Sequence, residues 1–311
     1  MADACGSDGF HSRIAIEESG SPAFAIFTSS SDCFPLADAC SLRRRVPKGN
    51  FSGLNGSREE DSEMTRNLNH IVEGDIPLYL TPDSFQAFGP RILGGAWDVS
   101  KNSVPTTALP TSFHAAVHKD AYIDLYYNLQ VTRGEISGEV NKPIMLNLGC
   151  IGRSRDTREA GADWPSGLDP TLSAPYLFED AVFKIGGTAY KWRKFKFMRD
   201  NRLSARYWGS NTACGIKPDG LAYNTLQVVL PFSTDTVPNI LEAKDDEEYL
   251  ACTIDFVHPN AAYSAKITLP GLQFPNEDPP VVNGEIIIDF TGAARRVAAA
   301  APVTFNNDNI V

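Results

Sequence analysis

The chain has no Cys-x-x-Cys pair, no apolar run near the roughly 20 residues that a membrane helix needs, and no excess of basic residues. Each absence removes a class of function. Cys5, Cys33, Cys40, Cys150, Cys214 and Cys252 are too scattered for a zinc ribbon and read as reduced, structural thiols. Without a long apolar run, no membrane partner is expected. The formal net charge of -10 works against general affinity for nucleic acid, because that affinity rests on lysine and arginine neutralising phosphates. The same acidity suits a surface that DNA passes without adhering. There is no Gly-x-Ser-x-Gly elbow, Walker loop or dinucleotide fingerprint, so no catalytic residue, cofactor or enzyme activity is predicted. Carboxylate pairs that would serve a glycosidase occur in any acidic β-rich chain and carry no weight here. The opening residues lack the basic region and apolar core of a secretory signal, and the expected place of synthesis is a reducing cytoplasm. On that expectation the glycosylation patterns at Asn50 and Asn55 have no consequence.

What the sequence does have is short alternating runs separated by 21 prolines and 24 glycines, the pattern of a mainly β protein with few helices. Its 311 residues allow one large β domain or two of ordinary size. Ile14 to Ile16 and Phe24 to Phe27 are candidate strands in an otherwise irregular amino-terminal arm, residues 1–50. From Ile71 to Leu80 a strand is predicted. Thr81-Pro82-Asp83-Ser84 then supplies an N-cap, a proline at the first helical position and an acid in the first turn, with Gly89-Pro90 expected to break or kink the helix. Strands follow at 113–118, at 122–131, where Leu125, Tyr127, Leu129 and Val131 are expected to share a face, and at 144–150. A polar stretch from 154 to 174 reads as a linker. Beyond it the order repeats: strands, then a short helix at 237–248, then strands at 249–257, 262–269 and 284–290. The chain therefore divides into a first module at 51–153, with strands from the arm, and a second at 175–311, a candidate internal duplication.

The second module opens on an aromatic and basic hairpin. Ala181, Phe183 and Ile185 alternate with Val182 and Lys184, Gly186-Gly187 supplies a primed turn, and alternation resumes at Tyr190 and Trp192. Phe195 and Phe197 then fall in the opposite phase, which predicts a bulge near Arg193-Lys194. Lys191, Arg193, Lys194 and Lys196, with Arg199 and Arg202 beyond, make a basic edge. It reads as a subunit contact, a solvated sheet face or a nucleic-acid contact. Arg43, Arg44 and Arg45 form a second basic stretch, read as an arm reaching an acidic neighbour. Asp245, Asp246, Glu247 and Glu248 are a solvated helix end or an acidic rim or lumen. His114 and His118 have the i, i+4 spacing of helical metal ligands, yet in a strand those positions lie about 13 Å apart, so no metal site is predicted. Trp97, Trp164, Trp192 or Trp208 would supply the stacking platform of a carbohydrate-binding or adhesin-like β-sandwich, the alternative function.

Several of these segments together resemble the major tail tube proteins of long-tailed, siphovirus-like bacteriophages. In the second half they are Leu177-Phe-Glu-Asp-Ala-Val-Phe-Lys-Ile-Gly-Gly-Thr188 with its basic strand, Asp200-Asn-Arg-Leu203, Ala265-Lys-Ile-Thr-Leu-Pro270, Asn283-Gly-Glu-Ile-Ile-Ile-Asp-Phe290 and Ala301-Pro-Val-Thr-Phe-Asn-Asn307. In the first half they are Gly53-Leu-Asn-Gly-Ser-Arg58, Val72-Glu-Gly-Asp-Ile76, the Pro82 helix with Leu93-Gly94-Gly95, and residues 127–152. The resemblance implies a tail-tube-like antiparallel β-sandwich or barrel with short flanking helices, without cofactor. It also implies self-assembly into stacked rings, as a hexamer or a trimeric pseudo-hexamer, in the virion tail. Double-stranded DNA would be a transient lumen passenger during ejection, and a tape measure protein and tail terminator or tip proteins would be the neighbours.

Overall fold

The computed structural model describes residues 12–18, 24–46, 48–50, 65–67, 70–98, 103–106, 109–119, 121–156, 158–209, 212–231, 249–259, 264–273, 281–282, 285–298 and 300–307. Its principal strands are β1 (Arg13–Glu18), β2 (Ile71–Tyr79), β3 (Phe113–His118), β4 (Tyr122–Glu139), β5 (Met145–Gly152), β6 (Ala181–Ile185), β7 (Lys194–Asp200), β8 (Tyr223–Pro231), β9 (Leu250–Val257), β10 (Ser264–Gln273), β11 (Glu285–Ala294) and β12 (Thr304–Asn307). One α-helix among the described residues, α1 (Pro82–Leu93), joins β2 to this sheet system. The protein is mainly β, as its composition predicts, and its strand pairs are antiparallel.

Thr81 caps α1: its hydroxyl accepts from the Ser84 amide at 3.1 Å, and the Ser84 hydroxyl accepts from the Thr81 amide at 2.8 Å. Of the break or kink expected at Gly89-Pro90, no break forms: the helix continues to Leu93 and ends on Gly94 at φ 83°. Proline removes the donor that would have served the Gln86 carbonyl four residues back. The Trp97 indole replaces it, with Nε1 donating to Gln86 O at 2.7 Å. The helix lies against β4 at Gly134, where a β-carbon would sit 2.6 Å from Ile92 Cγ2.

β4 is the longest of the described strands and changes partners along its length. Its first half pairs with β3, and its second half lies between β5 and β7. Asn128, at φ 52°, marks the change. There β4 gains a residue against β3, so Phe113 faces Leu129 while Ala115 faces Tyr126. This bulge reverses the side-chain phase. Leu125 and Tyr127 join a small cluster with Phe27, Cys33 and Leu168, whereas Leu129 and Val131 join the main core. The expected common face of these four residues is thus two faces.

The Gly186-Gly187 hairpin forms as predicted, with φ 57° and 86° at the two glycines, the left-handed pair a primed turn requires. The predicted bulge is instead a break between strand Thr188–Tyr190 and β7. The break lets the chain leave β6 and insert β7 between β4 and β8. Trp192 turns inward there, stacked 4.6 Å from Phe195 and 5.5 Å from Phe183.

From β7 the sheet runs through β8 and β11 to the end of β10, and β10 also pairs β9, which pairs β6. β12 bridges β10 and strand Ser103–Pro105. Phe85 of α1 packs 5.0 Å from Phe305 of β12. One buried cluster includes residues of both halves, from Ile14 to Phe305. Phe24–Ile26, a candidate strand, is a 3-10 turn. The predicted helix at 237–248 lies outside the described residues.

Candidate assembly surfaces

The two basic stretches singled out by sequence lie in different settings. Lys191, Arg193 and Lys194 are exposed along the break and the start of β7. Lys194 stands opposite Glu139 of β4, and Lys196 Nζ contacts Glu135 of β4 at 2.8 Å. The hydrogen bond from Lys142, aided by the charges of Lys142 and Lys194, holds the Glu139 carboxyl below its ordinary pKa. Farther along β7 the stripe turns inward. Arg199 is buried, with Nε donating to Ile92 O at 3.1 Å and Nη1 to Asn224 Oδ1 at 3.0 Å, and burial lowers its pKa to about 10. Asn201 Nδ2 donates to the same Ile92 carbonyl at 3.1 Å. A guanidinium and an amide from the second half therefore cap the carbonyl end of α1 from the first, where the helix dipole favours a cation.

Arg43, Arg44 and Arg45 form a short strand, all three exposed, paired to β2 through Glu73, Val72 and Ile71. No strand pairs with its other side among the described residues. Arg45 Nη1 lies 2.8 Å from Glu73 Oε1, and Arg44 Nη2 3.1 Å from His70 Nδ1. Next to this strand is a charge cluster the sequence reading missed. Asp124 of β4 is buried; Lys119 Nζ and Arg158 Nε contact it at 3.0 and 2.9 Å, Arg155 Nη1 lies at 3.7 Å, and the Tyr126 hydroxyl at 3.3 Å. Burial opposes ionisation of Asp124, but the hydrogen bonds from Lys119 and Arg158 outweigh it and hold the pKa below the ordinary carboxylate value. The signal in the sequence was an aspartate in the apolar run of β4.

On the other side of α1, Glu17, Glu18 and Asp32 border a cleft of about 360 Å³ with Ala87, Arg91 and Trp97. Burial raises the Asp32 pKa; Arg91 lowers it less than burial and the neighbouring carboxylates raise it. The acidic residues Asp245, Asp246, Glu247 and Glu248 lie outside the described residues.

Among the described residues, these are surfaces of charge and strand edge. A family model described as phage tail tube protein matches residues 19–306. The chain belongs to the phage tail tube family. No curated protein matches it. Membership makes it a structural protein of the virion tail that self-assembles into a tube, and the family is not an enzyme family.

In this tail tube protein the remaining chemistry-bearing residues serve packing. His114 Nδ1 accepts from the Asn128 amide at 3.2 Å, filling the need created by the β4 bulge, and His118 Nε2 lies 3.2 Å from Gly161 O. Trp164 is packed between Arg13, 4.7 Å above its ring, and His118. Trp97, Trp164 and Trp192 are each half-buried with their indole nitrogens bonded to carbonyls, so they do not form an open stacking platform; the Trp208 side chain lies outside the described residues. Burial pushes the Cys33 and Cys252 thiols up to about 12, which keeps them protonated and unreactive. Among the described residues no helix is long and apolar enough to cross a membrane.

Proposed function

We propose that the protein is the major tail tube subunit of a long-tailed, siphovirus-like phage. Copies close into rings, rings stack into a hollow tube, and double-stranded DNA passes through the lumen during ejection. The family match over residues 19–306 carries this reading. The edge of the Arg43–Arg45 strand that no described strand pairs supports it, because an exposed strand edge is satisfied when a second copy pairs or packs there. The division at 51–153 and 175–311, joined by 154–174, is read as two tube modules in one chain, which favours a trimeric pseudo-hexamer over a hexamer, with residues 1–50 as an arm between subunits. Asp245 to Glu248 are assigned to an acidic rim or lumen that phosphate does not adhere to. Arg43, Arg44 and Arg45 are the preferred subunit contacts, because their strand has a described partner on one side only; Lys191, Arg193, Lys194 and Lys196 are weaker candidates, because β7 is paired on both sides, by β4 and β8. A tape measure protein and terminator or tip proteins are the further partners, and the subunit is made in the host cytoplasm.

Negative-stain microscopy with mass measurement of the purified protein tests the proposal. Rings or tubes of three- or six-fold symmetry are expected. A monodisperse monomer at high concentration across all salt conditions overturns it.

A further inference from the structure

Resting on the tube reading, we infer that the exposed arginine edge of one copy docks into the acidic cleft of a second copy, head to tail. The two surfaces lie at opposite edges of one sheet. Strand Asp32–Pro35 pairs with β1, β1 with β3, β3 with β4, and β4 with the short strand Ser154–Arg155. Asp32 and the neighbouring Glu17 and Glu18 mark the first edge; Arg155 and Arg158 mark the far one. The Tyr126 hydroxyl of β4 donates to Leu42 O at 2.6 Å, which ties the Arg43–Arg45 strand to that far edge.

Each surface carries an excess of one sign. At the basic edge, Lys119, Arg155 and Arg158 all turn to the one buried Asp124, and Arg43, Arg44 and Arg45 are exposed, Arg45 paired with Glu73 and Arg43 bordering a cleft with Glu73, Asp75, Arg133 and Asp200. At the cleft, Glu18 and Asp32 lie on the face of their strands towards Arg91, while Glu17, on the other face of β1, accepts from the Ser31 hydroxyl; Arg91 is already buried, with Nη1 donating to Ala87 O and its charge over the rings of Phe88 and Phe113. The cleft volume is at the small end of the roughly 300–1,000 Å³ of ligand pockets, a size for side chains of a partner rather than for a cofactor. Apolar Ala87 and the Trp97 ring offer the stems of arginine side chains a surface to lie on.

Opposite placement decides the symmetry. A two-fold contact would put each patch against itself, arginine on arginine, which like charge disfavours. A head-to-tail contact brings unlike patches together and repeats, and repetition either closes a ring or builds a stack.

The test uses the full chain. Arg43→Glu with Arg44→Glu, and separately Glu18→Lys with Asp32→Lys, should each raise the concentration needed for assembly by about tenfold or more while leaving the thermal midpoint within a few degrees. All four substitutions together restore opposite charges and should return assembly towards wild type. Wild-type polymer with either pair assembling normally, or with the fourfold variant no better than the pairs, overturns the docking. Wild type that never polymerises instead overturns the tube reading beneath it. Should a reversal pair lower the melting temperature, Arg43→Gln and Glu18→Gln replace it. Wild-type assembly should weaken as salt rises, and each neutral variant should show a shallower dependence; an unchanged dependence overturns the docking.

Discussion

The lysine stripe at 191–196 and the arginine stripe at 43–45 look alike in the sequence, as runs of cation in an acidic chain. In the folded protein they differ in where their counter-charges are. Lys196 finds Glu135 one strand away, Lys194 stands opposite Glu139, and Lys184 on β6 contacts Asp255 at 2.6 Å. Behind these lysines lies the aromatic stack of Trp192, Phe195, Phe183 and Phe178. The arginine strand has Glu73 for Arg45, but no strand among the described residues pairs its outer edge, and its neighbours, Arg155 and Arg158, add to the positive charge rather than cancel it. If the arginine strand is the subunit contact proposed for it, the two runs are told apart by how much of their charge and strand edge the chain's own fold answers.

The largest expected effect tests whether the lysine hairpin is first of all a piece of core. Phe195 is fully buried, between Trp192 and Phe256 at 4.6 and 6.1 Å. Phe195→Ala should cost about 3–5 kcal/mol in denaturant unfolding, since it removes a ring and leaves a cavity. A loss under about 1 kcal/mol would mean that the stack does not hold the hairpin, and the contrast with the arginine edge would fail at its structural end.

Next comes the acid that organises the basic edge. Asp124→Asn leaves Lys119, Arg155 and Arg158 without their shared carboxylate. A buried pair broken on one side costs about 3–5 kcal/mol, and the partial exposure of all three cations reduces this to about 1–3. Its pH dependence has a definite sign. The folded pKa of Asp124 is depressed, so the contribution is complete above the unfolded value near 4 and is lost as pH falls below it through the folded pKa. Denaturation midpoints of wild type and Asp124→Asn should therefore differ at pH 7 and converge in acid. A constant difference from pH 7 to 3 would assign the loss to shape rather than charge.

Local chemistry was legible in the sequence wherever neighbouring residues settle it. The Thr81 cap, the Gly186-Gly187 turn and the alternation of β6 formed as read. What could not be read depended on residues distant in the chain. Pro90 stays inside α1 because Trp97 reaches back to Gln86 O, and no local rule contains that indole. The phase of β4 reverses at Asn128 because β3 lies opposite it with one residue fewer and His114 receives the spare amide. The same holds for the candidate surfaces. Arg43–Arg45 are visible as a run, but their opposite number, Glu17, Glu18 and Asp32, comes from two strands separated in sequence and joined only by pairing β1 with Asp32–Pro35.

The smallest effect bears most directly on the contrast between the stripes. The Lys196–Glu135 pair is partly exposed on the lysine side, so Lys196→Gln should cost at most about 1 kcal/mol, and a double-mutant cycle with Glu135→Gln should return a coupling no larger. If the charge of this stripe is answered within the chain, reversing Lys194 and Lys196 to glutamate should slightly lower stability, by placing like charges beside Glu139 and Glu135, and leave tube formation measured by sedimentation close to wild type. The matching reversal at Arg43 and Arg44 should abolish it at the same concentration. Equal loss of polymer from both, with both monomers folded, would show that a partner subunit also supplies acid to β7, and intrachain pairing would no longer separate a contact surface from a solvated one.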